Sequence, residues 1–589
     1  MIRDLIEANA TGLRESKFSP EIARRIPFQR YLLVGARFMY CIAVFMLVLL
    51  PGCGSSTAPE AATSTPALSA AQCQVAVASP LSVNDADVSS ADELRSLQAQ
   101  TDLYNGGSRL NGSSSELAYI DWLVTQLTQM GATSVSKEAY TFSQWSPASA
   151  ALAIKKGPAP GGMPIAGYIP YSGSTGPQGI TGQLVYLPEF SLLDLTSVIA
   201  TILQDPANIV VSIEYGLFQL LQNLLAGGIS LAQLVASLDL KGKVVMYDVP
   251  RLDLPVGTLA AQAQYVNNSS GTLGQATLYS RPFLDMVLIY TIDAILSAAG
   301  ASAVIGVIDY PPAAADGSYY PFFSPDTSPS VPGVYLDRST GTALKEQIDK
   351  SGLSPIEVKL TLDASRAPAA TSYNISADIP GLCPQELLLS SHSDGPNSIE
   401  DNGPVAILAI AKHFLAIPKA QRLRGLHIVF TGGHFEGSVG IAAYIAKHQA
   451  DLTENTLGAI EIEHLGAREW LELSPGIMGL DGLPEPQVLL TAPGTAFARE
   501  ARTFATNFDR SVVIPPILPV GEGQAWHNVA KLPLVGFIAG PLYLLNDAMP
   551  EVTTDFTDYD LFHRQVRAFI QMISNLETDS VATLRGTSK

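Results

Sequence analysis

All eight histidines of this 589-residue chain lie after residue 391, and six fall between residues 392 and 464. Imidazole is the commonest metal ligand and general base, so that segregation places metal or acid–base chemistry in the C-terminal part. His413 and His448 each follow a lysine late in a predicted helix, His427 lies inside a predicted strand, and His563 sits beside Arg564; these four read as structural. His392 is different. It stands in SSHSDGPNSIEDNGPVAIL, where His392-Ser393-Asp394 ends a predicted strand and a polar loop carries Asp401-Asn402-Gly403 toward a helix. Pro404 suits that helix's first turn. An imidazole with two carboxylates in reach is a set for binding a divalent cation. Three further groups follow: His434 and Glu436 in GGHFEG, Glu461 and Glu463 in EIEH, and Glu522, Gln524 and His527 in EGQAWH.

The elements that must position these groups begin near residue 371. ELLLSS precedes VAILAIAKHFL, LRGLHIVFT precedes VGIAAYIAKH, LGAIEIE and PLVGFIA follow as further strands, and YDLFHRQVRAFIQMI closes the chain as a helix. Strand–helix alternation predicts an α/β fold, a three-layer αβα sandwich around a mostly parallel mixed sheet. Ligands in such sheets sit beyond the carboxyl ends of the strands, where the candidate residues fall. Residues 86–147 supply a first segment of the same domain. In it, Leu117–Met130 has helical apolar spacing, Gly131 stops the helix and an alternating strand follows.

Residues 148–365 contain no histidine and carry short β runs (GITGQLVYL, LKGKVVMYDV, ASAVIGVID, PSVPGVYL) bounded by Gly and Pro. They predict a separate β-rich module inserted between the first segment and the main part, residues 366–580. An apolar helical stretch at roughly 190–238 interrupts it, suited to packing, a lid or a dimer contact. Before all of this, residues 38–50 form a thirteen-residue apolar run preceded by Arg24, Arg25, Arg30 and Arg37. A membrane-spanning helix needs roughly 20 apolar residues, so the run fits a signal-peptide core. Its end, Leu50-Pro51-Gly52-Cys53, resembles the lipobox at which lipoproteins are cleaved and acylated on cysteine. Residues 1–53 are then a leader and lipoprotein signal, and the Ser/Thr/Ala/Pro-rich stretch 54–85 a flexible tether. The alternative is a short membrane anchor with an incidental cysteine. Cys41 lies in the apolar run, which leaves Cys73 and Cys383 either to pair in an exported protein or to stand as unrelated buried thiols. The formal charge of -19 excludes nucleic acid as a partner, since no basic surface displaces counterions from phosphates.

The block from His392 to Gly403 resembles the His-x-Asp … Asp-Asn-x-x-Gly pattern of secreted zinc aminopeptidases, the bacterial leucyl aminopeptidase and glutamate carboxypeptidase-like metallopeptidases. The Arg-x-x-Gly-Ser turn beginning at Arg109 is similar to the family's first segment, and the strand order of residues 148–365 resembles the protease-associated domain inserted in such enzymes. The resemblance implies that His392 binds zinc, that Asp394 orients it and that Asp401 bridges two zincs. Where the family has Gly-Ala-Glu-Glu-x-Gly, this chain has Gly432-Gly433-His434-Phe435-Glu436-Gly437. His434 then replaces the general-base glutamate and Phe435 the second metal ligand. A one-residue bulge would instead bring in Glu436. Glu463 stands for the family's ligand aspartate, and Gln524 replaces its last ligand histidine, with His527 one helical turn later.

The implied function is a zinc-dependent exopeptidase-like hydrolase of peptide or amide substrates, holding one ion more readily than two. It would be exported and anchored to the bilayer of the cell envelope through an acyl chain on Cys53. The rival reading is a degenerate peptidase fold serving as a binding or scaffolding lipoprotein. The expected catalytic residues are Asp394 with His434, or Glu436 in its place. The expected metal ligands are His392, Asp401, Glu463 and His527.

Overall fold

The structure, a computed structural model, describes residues 68–79, 83–102, 108–187, 240–251, 253–319, 331–516, 521–547 and 556–586. The expected signal and lipid-bearing Cys53, and the helical stretch expected at 190–238, lie outside the described residues. Among the described residues no helix is long and apolar enough to cross a membrane.

Thirteen strands suffice to place the site: β1 (Thr133–Lys156), β2 (Ile180–Leu187), β3 (Val244–Asp248), β4 (Tyr265–Asn267), β5 (Ala303–Val307), β6 (Gly333–Leu336), β7 (Glu357–Ile379), β8 (Glu386–His392), β9 (Gly425–Thr431), β10 (Thr456–Ile462), β11 (Gln487–Leu490), β12 (Ser511–Ile514) and β13 (Leu534–Ala539). Apart from β1, which pairs with β7 off this path, and shorter edge strands, they hydrogen-bond in the order β6-β5-β3-β2-β7-β9-β8-β10-β13-β11-β12-β4. In the half of the sheet that carries the candidate site, β8 runs parallel to both β9 and β10, and β10 parallel to β13. The sheet turns antiparallel at β7 and β11. This is the expected mixed, mostly parallel sheet.

Burial explains why these segments are strands. Almost every residue of β8 and all of β10 are buried, as happens when helices cover both faces of a parallel sheet. One face carries the helices Ser114–Met130, Gly403–Ala416, Ala496–Thr506 and Tyr559–Leu576, whose apolar sides share one core with the sheet. The other carries Val439–Asn455 and Gln524–Asn528. Caps fix where the helices begin and end. Ser113 accepts the Glu116 N–H at 3.1 Å, and Gly131 closes that helix at φ 90°, where a side chain would be strained. Gly403 is the tightest contact of the site-bearing loop, because a Cβ there would lie 2.0 Å from the Ile462 carbonyl oxygen. No larger residue lets the helix start press so close on β10.

The region 148–365 is not cut off at its expected ends. Both boundaries fall within a ribbon of two long antiparallel strands, with Pro147 opposite Ala364 and Ser146 opposite Ser365. Beyond the ribbon, β2, β3, β5 and β6 run parallel and the helix Arg338–Ser351 sets Leu344 into their core, so the module mixes helix and strand. It also returns to the main sheet, where β4 pairs with β12, Val266 opposite Val512. Cys73 and Cys383 are joined by a disulfide with Cα atoms 5.7 Å apart, tying the start of the described chain beneath β8.

Candidate metal centre and acid cluster

His392 is the last residue of β8, opposite Thr431 of β9, and no part of it meets solvent. Its Nδ1 lies 2.7 Å from the Asp394 backbone carbonyl oxygen. A carbonyl only accepts, so Nδ1 carries the proton and Nε2 is left as a lone pair. That Nε2 makes no hydrogen bond and faces a Glu400 carboxylate oxygen at 4.0 Å. His464 repeats the arrangement just beyond β10. Its Nδ1 donates to the Ala539 carbonyl at 2.6 Å, and its Nε2 points to the other Glu400 oxygen at 2.9 Å and to Glu463 at 4.0 Å. His464 holds φ at 57°, a left-handed conformation that costs a non-glycine residue free energy and tends to persist at functional sites. Asn402 keeps it there by a reciprocal pair: its amide donates to the Leu465 carbonyl at 2.8 Å and its carbonyl accepts the Leu465 N–H at 2.9 Å. The two imidazoles meet nearly at right angles, ring centres 6.2 Å apart, with Glu400 between their Nε2 atoms. The donor atoms of His392, Glu400 and His464 lie within 4.8 Å of one another, all buried.

Around this trio sits an excess of buried acid. Burial pushes the Glu463 carboxyl up to about 7 and Glu522 up to about 8, and raises Asp394 and Glu461 well above the carboxylate range. For Asp394 the neighbouring Glu436, Glu116 and Glu522 add to the effect. Such a cluster invites a cation, since desolvated like charges disfavour joint ionisation. His392 moves the other way, held neutral by burial and by His434 and His464. His464 is raised, because Glu400 and Glu463 outweigh the cost of burying its charge.

The residues expected from sequence fall into two groups. Asp394, His392, His434 and Glu463 do gather. The Asp394 carboxylate accepts the His434 backbone N–H at 3.1 Å, so it is the Asp394 carbonyl and not its carboxylate that orients His392. His434 stacks on His392 at 4.5 Å with planes 16° apart. Burial and His464 push the His434 imidazole down to about 3, which makes it a poor proton acceptor at neutral pH. Glu436, the alternative base, is buried with a carboxyl pushed up to about 7, close to the value suited to proton transfer. Tyr171, from the inserted module, donates its hydroxyl to Glu436 at 3.1 Å.

Two expected ligands are engaged elsewhere. Both oxygens of Asp401, expected to bridge two ions, accept from Nε and Nη2 of Arg109, and both side chains are wholly buried. Arg109 is fixed by Nη1 on the Thr101 carbonyl at 2.8 Å and by its face on the Tyr119 ring at 4.3 Å. His527 turns its Nδ1 to the Leu532 carbonyl at 3.2 Å and is not part of the ligand trio. Sequence reading passed over Glu400, His464 and Arg109. Glu400 adjoins Asp401 in the same polar loop, and His464 follows a buried strand by two residues, close to the place His392 takes at the end of its own; that position is the signal for it.

No protein-family model matches the sequence, and no curated protein matches it. Solved structures do match in fold. An aminopeptidase from Aneurinibacillus sp. superposes with a TM-score of 0.51 at 14% identity, spanning 84% of this chain and 96% of the neighbour. A zinc aminopeptidase from Bacillus subtilis gives 0.52 at 13% identity, spanning 84% and 95%. An M28 peptidase precursor from Shewanella amazonensis gives 0.53 at 17% identity, spanning 83% and 98%. The chain thus has the fold of the zinc aminopeptidases and M28 peptidases, over nearly the full length of those proteins.

Proposed function

We propose that the protein is a metal-dependent hydrolase of peptide or amide bonds, using zinc. The observation that carries this reading is the His392 Nε2 lone pair, fully buried, unbonded and aimed at Glu400 beside a second imidazole whose Nδ1 is likewise held by a backbone carbonyl. The donor set of two imidazoles and carboxylates fits zinc. His392, Glu400 and His464 would hold the ion, which supplies Lewis acidity toward a substrate carbonyl oxygen. Glu436 takes the proton from the attacking water and returns it to the leaving amine, with Tyr171 fixing one carboxylate oxygen. Glu461, Glu463 and Glu522 add negative charge that favours a cation in the centre.

The test is release of amine from a panel of aminoacyl anilides and short peptides by the purified zinc-loaded protein. Activity should vanish with a chelator and return with zinc. Glu436→Gln should lower kcat roughly 10²–10³-fold with KM little changed. Zinc-loaded protein that cleaves nothing in the panel would instead support the binding or scaffolding reading.

The reading also includes export and acyl anchoring at Cys53, which the Leu50–Cys53 stretch supports. A Cys53→Ser chain should leave the membrane fraction and lose lipid label; retention in the membrane would refute the anchor.

A further inference from the structure

We infer that the chain holds a single zinc-like cation between His392, Glu400 and His464, and that the Arg109 guanidinium stands where a second cation would meet Asp401. The inference rests on the metal-hydrolase reading above and names its ligands.

The ligand geometry comes from three segments converging at the carboxyl ends of β8 and β10. The Nε2 of His392 and the Nε2 of His464 approach different oxygens of one carboxylate, at 4.0 and 2.9 Å. Donor atoms bound at about 2.0–2.1 Å around a tetrahedral zinc lie about 3.3 Å apart, and one donor atom from each of the three residues already lies within 4.8 Å of the others, so an ion has only to draw them together. Each imidazole is already locked by a backbone carbonyl on its far nitrogen, the outer support that metal-binding histidines use. Glu463, 4.0 Å from the His464 Nε2, is the nearest further carboxylate. A second group, His427 with Asp378 and Glu386, offers one imidazole and two carboxylates but is closed: its imidazole bonds Asp378 at 2.7 Å on one side and the Tyr444 hydroxyl at 2.7 Å on the other.

The second position is blocked by charge. Both Asp401 oxygens are already taken by Nε and Nη2 of Arg109. Arginine stays protonated in any protein environment, and it matches a carboxylate bidentately. A divalent ion on Asp401 would face that fixed cation across a few ångströms of dry interior, where Coulomb repulsion is poorly screened. Arg109 thereby supplies one permanent positive charge in place of an exchangeable double one.

The experiment is metal analysis of the intact mature protein after equilibration with zinc against a chromophoric chelator. Cobalt substitution serves as a spectroscopic readout of coordination. Wild type should bind one zinc per chain, and Asp401→Asn should keep that stoichiometry. Glu400→Gln and His464→Gln should each weaken zinc binding roughly 100-fold or more and alter the cobalt spectrum. Circular dichroism in chelator checks that each variant is folded, and either variant suffices if the other is not. Two zincs per wild-type chain, or wild-type zinc affinity in the folded Glu400 and His464 variants, overturns the inference. Hydrolysis that persists in those zinc-retaining variants sinks the ligand set and leaves the hydrolase reading standing. One zinc at the trio without any hydrolysis does the reverse.

Discussion

Two buried clusters of charge lie in this molecule, and they are balanced in opposite ways. In the first, Arg281 of the inserted module reaches into the half of the sheet that carries the candidate site. Its Nη2 donates to both oxygens of Glu485 at 2.7 and 2.9 Å, its Nε to the Gly540 carbonyl at 2.9 Å, and Glu469 joins Arg281 to Arg510. Two guanidinium groups meet two carboxylates, so the charge closes within the protein. In the second, around His392, eight buried acids (Glu116, Asp394, Glu400, Asp401, Glu436, Glu461, Glu463 and Glu522) gather, and among the described residues the arginine bonded to one of them is Arg109. A raised carboxyl does not separate the two clusters, since burial pushes Glu485 up to about 7 despite Arg281. What separates them is the supply of cations. The balanced cluster joins the module to the sheet, and the unbalanced one calls for an ion from outside.

The comparison breaks most sharply at Arg281. Removing one partner of a buried pair leaves the other charges uncompensated, at a cost of about 3–5 kcal/mol. Arg281→Met should lower the unfolding free energy by that amount in urea titrations while leaving zinc stoichiometry at the wild-type value. Loss of zinc with intact stability would mean that Arg281 serves the metal centre and not the architecture.

The α/β sandwich was readable because its signals are local: apolar strands, amphipathic helices, and caps such as Ser113 and Gly131. The site was readable only where the backbone order carries it, as in His392 at the end of β8. Glu400 and His464 come from separate segments, and their convergence depends on Gly403 pressing against Ile462 and on Asn402 gripping Leu465. Sequence shows each group but not the approach. Arg109 lies 292 positions from Asp401, and a motif read as a turn into a helix gave no sign that its arginine would end on a carboxylate. His527 misled for the opposite reason. One helical turn from Gln524 is near in sequence, but the side chain turns to the Leu532 carbonyl.

A smaller effect sharpens the comparison through pH. Glu436 and Glu463 are pushed up to about 7 and Glu522 to about 8, above the ordinary glutamate value of 4.5. In zinc-free protein between pH 6.5 and 8, the folded state keeps protons that the unfolded chain has lost, so stability falls as pH rises through this window. His464, also raised, acts with the same sign, while His392 and His434, neutral in the fold but still partly protonated in the unfolded chain near pH 6.5, act with the opposite sign at the low end of the window and fade above it. The slope is at most about 1.4 kcal/mol per pH unit for each group that titrates. Glu485, near 7 as well, contributes equally with and without zinc and cancels in the difference between the two curves. Zinc displaces protons from the unbalanced cluster alone. The stability gained on adding zinc should therefore grow from pH 6.5 to 8 in wild type, and grow less steeply in Glu522→Gln. Denaturant midpoints at a series of pH values, with zinc and with chelator, measure it. A zinc increment independent of pH would show that these acids are not where the ion is held.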